Sequence, residues 1–266
     1  MEISINTDYQ KNSGNPSPIL KRIADAGFTH IHWCHHWNTD FIYLTCEMEQ
    51  IQKWLKEYGL QLLDLHGSKG IEKDWASPKE YEREAGVELV KNRIDMTAML
   101  KADVVVMHHP VDLLFDSLRK SLSDLIRYAK ERNVRIAIEN GNFQTVKQLL
   151  AEFDPDFLGF CYDSGHANID ETAFSHLEAM KNRLIAIHLN DNDGKTSSQH
   201  RLPFSGTVDW KRLAFLIARS SYRKCMSLEL NMNNSGIMDE TVFLAQAFEV
   251  GRKLSSMISN QRRACE

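Results

Sequence analysis

Phe160-Cys161-Tyr162-Asp163-Ser164-Gly165-His166-Ala167 opens as a short apolar run, stops at a carboxylate and places an imidazole three residues later, across a glycine. Such a stretch reads as a buried strand leaving a sheet with metal-ligand side chains at its carboxyl end. The same pattern repeats on both sides of it. Ile136-Ala137-Ile138 ends in Glu139, Leu184-Ile185-Ala186-Ile187 ends in His188, and Met226-Ser227-Leu228 ends in Glu229. Polar side chains that merely solvate a rim would account for any one of these endings. Four in consecutive units call for shared chemistry.

Working outward, every apolar run is followed by helical spacing. A strand at Met1 to Asn6 precedes a helix that starts at Ile19 and stops at Gly27. Phe28 to Trp33 is a second strand, Met48 to Tyr58 a helix closed by Gly59, and Leu60 to Leu65 a third strand ending in His66-Gly67. Ser77-Pro78-Lys79-Glu80 predicts a helix start that runs to about Leu100. Val104 to Met107 is β-branched enough for a central parallel strand and ends in His108-His109. Helices at Leu118 to Lys130, Thr145 to Phe153, Thr172 to Met180, Val208 to Ala218 and Thr241 to Met257 complete the alternation. Eight strand-then-helix units with no intervening linker predict a single-domain (β/α)8 TIM barrel over residues 1–266. A doubly wound open sheet would carry a G-x-G-x-x-G first turn, and the only glycine there is Gly14.

Apolar residues make up 42% and charged residues 26%, enough for a large core without lipid, and no run reaches the length of a membrane span. The net charge of -4, with both signs interspersed, argues against nucleic acid or an anionic membrane as partner. Five scattered cysteines, Cys34, Cys46, Cys161, Cys225 and Cys265, form no C-x-x-C pair, so a reducing, cytoplasmic setting is expected. A homo-oligomer is left open.

In a barrel all strand ends open on one face, so Glu139, Asp163, His188 and Glu229 converge along half of the rim. Three carboxylates and one imidazole form a mostly oxygen shell suited to one divalent ion, Mn, Mg or Co, and admitting Zn. The ion would also keep three crowded acids ionised. His66 and His109 end the third and fourth strands, and His166 and His200 lie in later loops. Each is open to ligation, to contact with a substrate hydroxyl or to ordinary hydrogen bonding. Strand alternation turns only one of His108 and His109 inward, and the sequence does not choose between them. Arg201 is either an anion anchor or a solvated surface arginine. His30, His32, His35 and His36 cluster about Trp33 and Trp37. They fit a histidine-rich rim loop with Trp33 as a stacking face for a sugar more economically than a second metal cluster.

Ile138-Glu139-Asn140, Tyr162-Asp163-Ser164-Gly165-His166, Ile187-His188-Leu189-Asn190-Asp191, His200-Arg201-Leu202-Pro203, Gly206-Thr207-Val208-Asp209-Trp210 and Leu228-Glu229 together resemble the xylose isomerase-like barrels. That family includes sugar-phosphate isomerases and epimerases and, more remotely, endonuclease IV. The resemblance covers nearly the whole chain. It implies a divalent ion on Glu139, Asp163, His188 and Glu229, with the two glutamates also acting as acid and base on a small sugar, keto-sugar or sugar phosphate through an enediolate. Dehydration starts from the same proton abstraction. The rival within the resemblance is a three-zinc phosphodiesterase, but Ser198 stands where that enzyme carries an aspartate ligand. A sugar- or metal-binding barrel without turnover is the non-enzyme alternative.

Overall fold

The computed structural model describes residues 2–11, 13–34, 42–67, 73–109, 115–196 and 199–264. The strands are β1 (Ile3–Asn6), β2 (His30–Trp33), β3 (Gln61–His66), β4 (Val104–Met107), β5 (Arg135–Glu139), β6 (Leu158–Asp163), β7 (Leu184–His188) and β8 (Met226–Leu228). All their pairings are parallel, and the order β7-β6-β5-β4-β3-β2-β1-β8 follows the chain around a ring. The last gap closes through a parallel bridge between Leu189 and Leu228, with Leu189 N–H donating to Ser227 O at 2.9 Å and Glu229 N–H to Leu189 O at 3.2 Å. The chain is a (β/α)8 TIM barrel, and the contact that closes it also seats Glu229 just beyond β8.

Helices α1 (Ser17–Asp25), α2 (Thr45–Tyr58), α3 (Glu80–Met99), α4 (Phe115–Glu131), α5 (Phe143–Glu152), α6 (Ser164–Ala167), α7 (Ala173–Met180), α8 (Trp210–Ala218) and α9 (Glu240–Arg263) lie between and after the strands. Asn142, Asp209 and Asp239 cap α5, α8 and α9 by accepting backbone N–H groups of the first turn, which sets where the chain turns after a strand. Gly59 ends α2 with φ +70°, a left-handed conformation that glycine adopts without a Cβ penalty. The expected helix start at Ser77-Pro78 is displaced to Glu80. The Ser77 hydroxyl donates to Glu82 and accepts from Lys79 N–H, holding a turn in front of the helix.

Strand alternation divides the core into two layers. On β4, Val104 and Val106 point into the barrel, where they meet Ala137, Cys161, Ile185 and Ala186, while Val105 and Met107 pack under the helices. Small side chains fill the narrow interior, and the larger ones lie between strands and helices. No helix among the described residues is long and apolar enough to cross a membrane.

Candidate metal centre

The carboxyl ends of neighbouring strands are joined by side chains that bond a backbone in both directions. The Asn140 Oδ1 accepts from Asp163 N–H at 2.6 Å while its Nδ2 donates to Asp163 O at 3.1 Å. Ser164 Oγ donates to Asn190 O at 2.6 Å and accepts from Asn190 N–H at 2.9 Å. Asn6 does the same with Leu230, at 2.8 and 3.0 Å. Beyond the regular ladders, these clamps fix β5 to β6, β6 to β7 and β8 to β1, and so fix the side chains those strands present. Their clamping role has no local sequence signature, although Asn140 directly follows Glu139 and Asn190 lies two residues after His188.

Within this frame Glu139, Asp163, His188 and Glu229 come together, each offering one atom within 4.8 Å of the others. His188 Nδ1 lies 3.2 Å from Glu139 Oε1 and 2.8 Å from Glu229 Oε2. Asp163 accepts from His166 N–H at Oδ1 and from Asn190 Nδ2 at Oδ2, which fixes its carboxylate plane. Glu139 is a hub. Its Oε2 lies 3.5 Å from His66 Nε2 and 3.4 Å from His108 Nε2, and its Oε1 lies 3.4 Å from His166 Nδ1. His66 Nδ1 faces its neighbour's carbonyl, Gly67 O, at 2.9 Å, which puts the proton on Nδ1 and leaves Nε2 facing the acid.

The electrostatics follow from crowding in a buried space. Burial alone would raise Glu139, but the charges of His108 and His188, with hydrogen bonds from His166 and His188, hold it well below the usual carboxylate range. Glu229 is likewise held well below that range, because His188 outweighs its burial. Asp163 is raised, by burial first and by Glu139 and Glu229, against the pull of His166 and His200. His166 is lifted to about 10, chiefly by the Asp163 charge. His188 is raised well above its ordinary value, because Cys161 and the two glutamates outweigh burial. Glu139 draws His108 upward, yet its crowded surroundings and the charges of His66 and His166 bring it down to about 4. The imidazoles thus neutralise the acids in the arrangement seen here. Glu139 Oε2 and His188 Nε2 are nevertheless buried without a hydrogen-bond partner. A buried set of three carboxylates and an imidazole with orphaned donor atoms fits a divalent cation.

The other expected residues divide. His66 and His166 join the cluster. His200 stands at its edge, with Nδ1 3.2 Å from Glu229 O and its ring edge-on to His166. Of the two adjacent histidines it is His108 that faces the site, not His109, because β4 points its even-numbered residues inward. His109 is buried and accepts from Asn142 N–H at 3.3 Å. Arg201 lies in an antiparallel bridge with Asp191 beside the rim. Trp33 is no stacking face. It is 1% exposed and packs with Tyr43 in the helix-side core, since the alternation that turns His32 into the barrel turns Trp33 out of it. His32 likewise belongs to no rim loop but is wholly buried inside the barrel. His35, His36, Trp37 and Ser198 lie outside the described residues.

Two substitutions test this placement. His108→Ala, at a side chain 45% exposed, is expected to leave folding intact while weakening binding at the Glu139 end. His109→Ala is expected to cost about 1–3 kcal/mol in chemical denaturation by stranding Asn142 N–H. The reverse pattern would contradict the alternation. Gly165→Ala is the second. A Cβ there would stand 1.9 Å from Asn190 Oδ1, so Asn190 must leave Asp163 Oδ2, at an expected ~1–3 kcal/mol of stability together with weaker metal binding. Unchanged metal affinity in Gly165→Ala would show that Asn190 does not position Asp163.

The sequence profile of the family described as xylose isomerase-like TIM barrel matches residues 20–247. An uncharacterized protein of Sinorhizobium fredii (strain NGR234) is 32% identical, over 91% of this chain and 89% of its own length. Among solved structures, a D-psicose 3-epimerase crystallised in the presence of D-fructose superposes with a TM-score of 0.78 at 16% identity, covering 96% of this chain and 99% of that one. The 3-keto-D-glucoside 4-epimerase of E. coli superposes with a TM-score of 0.76 at 17% identity, covering 95% and 99%. At these identities the superpositions speak for the fold.

Proposed function

We propose that this chain, which belongs to the xylose isomerase-like TIM barrel family, is a divalent-metal-dependent isomerase or epimerase of a small sugar, keto-sugar or sugar phosphate. The observation that carries this reading is the convergence of Glu139, Asp163, His188 and Glu229 within 4.8 Å at the mouth of the barrel. That similar barrels bear the names of sugar 3- and 4-epimerases is consistent with it. A divalent ion, when bound, supplies the Lewis acidity that stabilises negative charge developing on a substrate carbonyl oxygen.

The remaining work falls to the chain's own groups. Glu139 and Glu229 are ionised at neutral pH and can each accept a proton from carbon next to the carbonyl, one from each face of the substrate. A carboxylate that also ligates metal is a weaker base, but Glu139 divides its roles. Oε1 faces His188 and His166, whereas Oε2 faces His66 and His108, so one oxygen can ligate the ion while the other takes a proton. His66 then stands within reach to hold that proton, and His166 and His200 line the opposite edge as donors to substrate oxygens.

The test is a panel of ketoses, keto-glycosides and ketose phosphates in deuterated water with manganese, cobalt, magnesium or zinc. Deuterium entering the carbon beside the carbonyl, with an isomer or epimer as product, is the expected result. Ligand binding without exchange across the panel would leave a binding barrel and overturn the enzymatic reading. A second reading has its own support. His66, His108 and Glu139 form a further triple within 4.8 Å, a two-metal arrangement compatible with phosphodiester hydrolysis. Zinc-dependent nicking of abasic DNA would put that reading first, and its absence would retire it.

A further inference from the structure

We infer that the barrel holds an inner metal position, formed by His32, His188 and Glu229 and oriented by Asp64, that favours a softer ion than the outer four-residue cluster. It deepens the metal reading proposed above, from which it borrows His188 and Glu229, but it stands on separate observations.

His32 on β2 and Asp64 on β3 are direct neighbours across the sheet, one inward-facing layer below His66. Both are fully buried, and His32 Nδ1 lies 2.7 Å from Asp64 Oδ1. A carboxylate in that place keeps the ring proton on Nδ1 and leaves the Nε2 lone pair for another partner, which is how a carboxylate orients a metal-ligating histidine. Among the described residues, Nε2 has no such partner. His188 Nε2 is buried and unpartnered in the same way, and Glu229 Oε2 lies 2.8 Å from His188 Nδ1. The His32 and His188 rings are 4.3 Å apart between centroids, and His32, His188 and Glu229 each offer a ligand atom within 4.8 Å of the other two.

A histidine kept only for packing would be expected to satisfy both ring nitrogens. This one commits one nitrogen to an aspartate and leaves the other unpartnered, in a ring packed close to that of His188. A cation would satisfy both unpartnered nitrogens at once, with Glu229 as its third ligand. Two imidazoles and one carboxylate suit zinc, cobalt or ferrous iron, whereas the outer set of three carboxylates and one imidazole suits manganese or magnesium. Glu229, with two oxygens, and His188, with both ring nitrogens once its ring protons are released to solvent, can serve both positions.

The full-length protein, stripped and then reloaded with zinc or cobalt, is assayed for equivalents retained and for affinity, alongside His32→Gln, Asp64→Asn and Asp163→Asn. His32→Gln is expected to retain one equivalent fewer than wild type. Asp64→Asn is expected to keep the count but bind zinc roughly 10–100-fold more weakly. Manganese binding should survive in both and fall in Asp163→Asn. Wild-type zinc count and affinity in His32→Gln, or lower affinity with an unchanged count, would overturn a separate inner position. Should His32→Gln not fold, Asp64→Asn decides alone, and unchanged zinc affinity there overturns it. Loss of an equivalent in Asp163→Asn only would sink the inner position and leave the sugar-enzyme reading standing. Loss in His32→Gln only would do the opposite.

Discussion

Glu139→Gln and Glu229→Gln are each expected to lower turnover by roughly 10²–10⁴-fold, the range lost with a positioned acid or base, and to fail in different ways. If the reaction inverts a centre, one glutamate removes the proton from one face and the other returns it from the opposite face. Each variant then keeps one competent base. In deuterated water it should still wash the proton out of the epimer that faces the surviving glutamate, while interconversion stops. If the proton instead moves between neighbouring carbons on one face, a single base serves both steps and one substitution is far more damaging than the other. The pair of variants therefore separates epimerase from isomerase whichever sugar is the substrate. Glutamine keeps the shape and one oxygen, so metal content measured on the same samples shows whether a loss arises from the base or from the ligand. Turnover above about a tenth of wild type in both would remove the glutamates from the chemistry.

How much of this was legible in the chain depends on whether a residue's role is set by its own strand or by its neighbours. Glu139, Asp163, His188 and Glu229 each terminate an apolar run, and that local pattern suffices once eight such units imply a barrel. His32 differs. Its burial and its aspartate come from β3, reached only through the cross-strand register, so the sequence shows no more than a cluster of histidines. The choice between His108 and His109 turns on the phase of a four-residue strand, which uniform valines conceal. Trp33 misled because an aromatic among histidines suggests a binding wall, while alternation places it under the helices. Ser77-Pro78 carries every mark of a helix start, yet its hydroxyl bonds to Glu82 and Lys79 N–H in a turn ahead of Glu80.

Stripping the protein with a chelator and restoring an ion should shift its thermal midpoint by about 10 °C. An ion present at ~1,000 times its dissociation constant stabilises the folded state by about 4 kcal/mol, and a domain of this size moves by roughly 2–4 °C per kcal/mol. The metal-free protein should remain folded, unlike a small zinc module, because two apolar layers and the strand-end clamps do not depend on the ion. Only the cluster should loosen, since buried donor atoms such as Glu139 Oε2 and His188 Nε2 lack partners without it. Asp163→Asn keeps an oxygen for His166 N–H but removes the charge and turns an amide toward Asn190 Nδ2, so its melting curve should respond little to added metal. A wild-type midpoint indifferent to every divalent ion, at concentrations well above micromolar, would mean that the imidazoles rather than a metal are the permanent counter-charge of these acids. The proposed chemistry would then have to proceed from Glu139 and Glu229 alone.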